Sequence, residues 1–82
     1  MDKLLLAIDG HKGKIILEHV CFGKEIYKCD RIKIIGDEDR IGVCVNGHDA
    51  YLYRNNIKSF NMDGNTYVLS DDLFTITIIV NK

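Results

Sequence analysis

The chain contains no proline, so its turns must rest on glycine, asparagine and aspartate. Its three cysteines, Cys21, Cys29 and Cys44, are an odd number and form no C-x-x-C pair. That count and spacing fit neither a disulfide framework nor a zinc ribbon. After Met1-Asp2-Lys3 the first apolar run covers only residues 4–8 (Leu4, Leu5, Leu6, Ala7 and Ile8). It is too short for a membrane span or for the hydrophobic region of a secretory signal. The sequence therefore predicts a cytoplasmic protein with reduced thiols. It shows no low-complexity segment and no internal repeat.

Charge of either sign is also scarce in the balance. The formal net charge is −1 and the isoelectric point about 6.2, so there is no general basic footprint for nucleic acid. The distribution is uneven. Residues 1–36 carry seven Lys or Arg against five acids, and residues 37–82 carry four against seven. The basic excess centres on Lys24, Lys28, Arg31 and Lys33, and the acidic excess on Asp37-Glu38-Asp39 and Asp71-Asp72. Eighty-two residues make a single domain, 1–82, and a hydrophobic content of 46% excludes wholesale disorder. A chain of this length buries roughly 60–65% of its unfolded surface, enough to fold with little margin.

The strongest positive signal is Asn46-Gly47 between two alternating runs, the mark of a two-residue β-hairpin. Counting outward pairs Val45 with His48, Cys44 with Asp49, Val43 with Ala50, Gly42 with Tyr51, Ile41 with Leu52 and Arg40 with Tyr53. One face then carries Ile41, Val43, Val45, Ala50 and Leu52, with His48 at the rim. The other carries Arg40, Gly42, Cys44, Asp49, Tyr51 and Tyr53. A slip of one residue would mix these sets, so turn chemistry and apolar pattern select the same register.

Elsewhere, residues 4–8 suggest a strand buried on both faces or at a subunit contact. Residues 14–21 read as a second strand, with a helix as the minor alternative. Phe22 to Glu25 forms a turn, and residues 26–35 read as one long or bent strand, with a break near Asp30 as the alternative. Asp63-Gly64 repeats the hairpin logic with two open registers: a two-residue loop pairing Phe60 with Tyr67, or a three-residue loop pairing Ile57 with Leu69. Residues 73–80 are the most β-prone segment. Phe74, Ile76, Ile78 and Val80 share one face and Leu73, Thr75, Thr77 and Ile79 the other, which predicts a strand covered on both sides. Six to eight short strands with closely spaced turns predict an all-β fold. The expected form is a small antiparallel barrel of the Src-homology or Sm type, or a compact two-layer β sandwich.

No catalytic, metal or nucleotide motif stands out. His19-x-Cys21 is a local pair, and the predicted register sets Cys44 and His48 on opposite faces, which argues against nucleophilic catalysis. The acids at 37–39 lack the glycine and distal glutamate of a calcium loop, and Gly10-His11-Lys12-Gly13 lacks the ending of a phosphate loop. The sequence thus predicts no enzyme, no metal and no cofactor. It points to an interaction module acting as a regulator, adaptor or inhibitor, in the style of a bacterial or phage accessory protein. The expected partner site is Arg40, Asp49, Tyr51, Tyr53 and Arg54, with Tyr27 as a further aromatic candidate and Lys24, Lys28, Arg31 and Lys33 as a secondary basic patch. Single-stranded nucleic acid stacked on Tyr51 and Tyr53, or a small nucleotide-like ligand in an oligomer, is the alternative. Self-association through residues 4–8 or 74–80 is a further expectation.

Overall fold

The computed structural model describes residues 1–81 and contains one short helix, one 3-10 turn and eight strands. In chain order these are α1 (Asp2–Ile8), β1 (Gly13–His19), β2 (Gly23–Cys29), β3 (Lys33–Gly36), β4 (Arg40–Val45), β5 (His48–Tyr53), the 3-10 turn Arg54–Asn56, β6 (Ser59–Asp63), β7 (Thr66–Ser70) and β8 (Phe74–Val80). The strands form two antiparallel sheets, one ordered β2-β1-β8-β7-β6 and the other β3-β4-β5. The fold is all-β, and both sheets are open rather than closed into a barrel.

The 40–53 hairpin pairs in the register read from the sequence, from Val45 opposite His48 to Arg40 opposite Tyr53. Asn46 and Gly47 have φ of +50° and +79°, the left-handed pair that a type I′ turn requires. Ile41, Val43, Val45 and Leu52 are buried, and Ala50 packs against them at the edge of the core. That core is common to both sheets: Ile15 of β1, Leu69 of β7, and Ile76 and Ile78 of β8 meet Val43 and Leu52 in one cluster.

Residues 26–35 are not one strand: the alternative of a break near Asp30 is the one observed, and it decides the architecture. β2 ends at Cys29 in the large sheet, and β3 begins at Lys33 in the small one. Between them Ile32 is buried in the core, and its backbone is held by Gly10 N–H donating to Ile32 C=O and Ile32 N–H donating to His11 C=O. Residues 14–21 are a strand, as read, except that β1 ends at His19 and Val20 to Phe22 form the turn.

Three further expectations are corrected. Residues 4–8 belong to a helix, not a strand. Leu5 and Ile8, three apart, are its buried residues, and the leucines and alanine that look like a strand core are also strong helix formers. The second hairpin takes neither proposed register: Asp63 pairs with Thr66 and Phe60 with Leu69, so the loop is Gly64-Asn65. Gly64 has φ of +62°, as the first central residue of a type II′ turn. Asn65 clasps β8, donating its side-chain amide to Val80 C=O and accepting Val80 N–H on its own carbonyl. Finally, β8 is not covered on both sides. Its inner row is Phe74, Ile76, Ile78 and Val80, whereas Thr75, Thr77 and Ile79 remain half-buried and Leu73 is exposed. With β1 and β7 paired on either edge, β8 has no free edge for pairing with another copy.

Two stability measurements follow. A methyl group added at Gly42 would collide with the Ala50 carbonyl and the Tyr51 Cα, so Gly42→Ala should lower the unfolding free energy by about 1–3 kcal/mol in a denaturant titration. Asn65→Ala, which removes the side-chain clasp on β8, should cost about 1–2 kcal/mol by the same measurement.

Candidate functional site

The outer face of the small sheet is built by alternation. Ile34, Val43 and Leu52 point to the core, so their neighbours point away. Lys33, Cys44 and Asp49 form one row across β3, β4 and β5, and Ile35, Gly42 and Tyr51 form the next. Arg40 and Tyr53 form a third row, one residue pair further along. Gly42 is buried at the middle of the face, and Tyr51, its cross-strand partner, is half-buried beside it.

Of the five partner-site residues read from the sequence, Arg40, Tyr51 and Tyr53 make one cluster. The Arg40 guanidinium lies 4.9 Å from the Tyr51 ring centroid, a cation–π distance. Tyr51 and Tyr53 pack edge to face at 5.6 Å between centroids. Interaction with Arg40, reinforced by Tyr53, holds the Tyr51 phenol below its ordinary pKa. The Tyr51 hydroxyl in turn pushes Tyr53 above its own. Asp49 lies on the same face, opposite Cys44. Arg54 does not join the tyrosines: its Nε donates to the Asp37 carbonyl at 2.8 Å, and its Nη1 pairs with Asp2 of α1 at 2.9 Å.

Asp37, which the sequence marks only as part of an acidic run, organises this face. Its Oδ1 accepts the backbone N–H groups of Asp39 and Arg40, and its Oδ2 receives Arg40 Nη2 at 3.1 Å. These bonds hold its carboxyl below the usual aspartate range. Asp37 thereby shapes the β3–β4 turn and aims Arg40 at Tyr51. An aspartate opening a short turn, three residues before an arginine, was the available signal.

A shallow depression of about 170 Å³ lies beside the cluster, with Ile35, Gly36 and Ile41 at its base and Asp37, Arg40, Asp49 and Tyr51 around it. A second, of about 230 Å³, shares Ile35, Gly36, Asp37 and Ile41 and reaches Leu6, Asp2 and Arg54.

The secondary basic patch is divided. Lys24 and Lys28 lie on β2 in the large sheet, Arg31 in the crossing segment, and Lys33 on the tyrosine face. Tyr27 is also on β2, where its hydroxyl bonds Glu25, so it takes no part in the Tyr51–Tyr53 cluster. Cys44 and His48 flank the turn on opposite faces, as the register requires. His19 Nδ1 accepts the Cys21 N–H at 3.0 Å. Among the described residues no three His, Cys, Asp or Glu side chains gather as a metal site, and no helix is long and apolar enough to cross a membrane. No protein-family model matches the chain, and neither the curated proteins nor the solved structures include a match.

The depressed pKa of Asp37 sets a pH dependence. The ionised carboxylate stabilises the turn above the ordinary aspartate pKa of about 3.9, and that contribution is lost as pH falls through the lower folded value. An NMR titration should show the Arg40 and Tyr51 resonances moving together below that pH. Asp37→Asn should abolish this acid limb.

Proposed function

We propose that this domain is a non-enzymatic interaction module that works by covering a partner protein's surface with the face around Tyr51. The observation that carries this reading is the Arg40–Tyr51–Tyr53 cluster, held on a rigid hairpin and braced by Asp37. Tyrosine and arginine supply large contact area at small entropic cost and dominate the energetic centres of protein interfaces. Half-buried Ile35 beside them offers apolar surface, and Asp49 and Lys33 provide charges of both signs on the same face. The adjoining depressions, at about 170 and 230 Å³, are smaller than the roughly 300–1,000 Å³ typical of small-molecule sites, which favours occupancy over turnover. In this reading the two sheets form a compact two-layer sandwich, the protein is cytoplasmic, and it acts as a regulator, adaptor or inhibitor.

Lys33 on the tyrosine face is the one observation that favours the alternative, single-stranded nucleic acid stacked on Tyr51 and Tyr53. Affinity capture from the native host, with wild type beside Tyr51→Ala/Tyr53→Ala, tests the proposal. The folded double variant should lose its partner by tenfold or more, about 1.4 kcal/mol. Retention of every partner by that variant removes the tyrosine face from consideration. Oligonucleotide binding that strengthens as salt falls, and disappears in the same variant, would replace the protein partner with nucleic acid.

A further inference from the structure

The edge of the large sheet carries a second surface, independent of the tyrosine face. β2 pairs with β1 alone and is therefore an edge strand with one row of main-chain groups unpaired. It runs seven residues without interruption. Ile15 is buried, so its neighbours Lys14, Ile16 and Glu18 face outward, and with them their cross-strand partners Lys28, Ile26 and Lys24. The outward row of the edge is thus Lys24, Ile26, Lys28, with Ile26 60% exposed.

The positive charge there is only partly compensated. Lys14 sits directly opposite Lys28, an unfavourable juxtaposition of like charges. The ion pairs among the described residues are Arg40–Asp37 and Arg54–Asp2, and neither involves a lysine. Lys12, Lys14 and Lys28 together border an open depression of about 420 Å³, in which Asp30 is the one acid. Glu18 lies across from Lys24 without closing an ion pair.

Lysines commonly protect an edge strand from pairing, but an exposed isoleucine between two of them does the opposite. The arrangement selects a partner by charge. A second copy of β2, added antiparallel about Ile26, would set Lys24 against Lys28 twice and be repelled. We propose that β2 is a strand-addition site for an extended acidic segment of a partner protein. In that segment an acid, an apolar residue and a second acid occupy every second position, so that they share one face, the acids falling beside Lys24 and Lys28 and the apolar residue beside Ile26. Main-chain hydrogen bonds supply the affinity and the outward row supplies the selectivity.

The test uses a short fluorescein-labelled peptide with the repeat Glu-Thr-Val-Thr, which places Glu and Val by turns on one face of a strand, with the corresponding Lys-Thr-Val-Thr peptide and an oligonucleotide of matching charge as controls. Anisotropy should show the acidic peptide binding at low salt and weakening as salt rises, with no binding of the lysine peptide. Lys24→Gln/Lys28→Glu should weaken binding about tenfold. Both positions are exposed, and an acid at 28 would face Lys14, so this variant keeps its fold. Ile26→Thr, which retains a β-branched residue, should weaken binding severalfold. Amide exchange should slow in β2 on binding and not in β5. The proposal is overturned by absence of binding at low salt, by equal binding to the lysine variant, or by binding without protection of β2. Equally tight, variant-sensitive binding of the oligonucleotide would also overturn it, since the site would then read phosphate.

Discussion

The pairing of β1 with β8 holds the molecule together. It joins residues 13–19 to residues 74–80, with Ile15 opposite Ile78 and Leu17 opposite Ile76 on the core side. Without it the β1–β2 hairpin and the β6–β7–β8 meander would be separate pieces, each too small to bury a core. Closing so long a loop has an entropic cost that grows slowly with length, and it is offset here by the fully buried Ile15, Ile76 and Ile78. The approach is close enough that a side chain at Gly13 would strike the Ile79 carbonyl. Glycine at that position is therefore part of the pairing itself.

Once the large sheet is closed, the remaining geometry follows from Ile32. The chain leaves β2, buries Ile32 between the layers and emerges as β3 in the other sheet. One core cluster then draws on both sheets. The tyrosine face and the basic β2 edge thus sit on different sheets. α1 is tied to this frame at both ends, by Asp2 to Arg54 and by the Asp9 carboxylate accepting Ile34 N–H at 2.7 Å. Because Arg54 also holds the Asp37 carbonyl, the helix, the β3–β4 turn and the Arg40–Tyr51 contact form one connected network.

How much of this could be read in advance varied with the range of the interactions. The 40–53 hairpin was fully legible, because a turn that demands left-handed backbone and a period-two apolar pattern independently require the same register. The tyrosine and arginine cluster followed from that register. Asp37 was not legible, because an exposed turn acid and a turn-organising acid have the same local sequence and differ only in which backbone amides face the carboxylate. Arg54 was placed among the tyrosines by proximity in sequence, yet a long side chain beyond a strand end goes to whichever acceptor the tertiary structure offers, here Asp2 and the Asp37 carbonyl.

The sequence by itself determined the all-β class and the type I′ hairpin with its inner and outer faces, since each rests on backbone preferences or alternation within a few residues. Tertiary structure decided the rest. It turned residues 4–8 into a helix, where Leu5 and Ile8 reach the core and Asp2 meets Arg54. It moved the second turn to Gly64-Asn65, where Asn65 clasps Val80. It also placed β8 at the centre of its sheet and β2 at the edge. The physical reason is the same in each case: the local sequence allowed two or more conformations of similar energy, and contacts between residues far apart in the chain selected one.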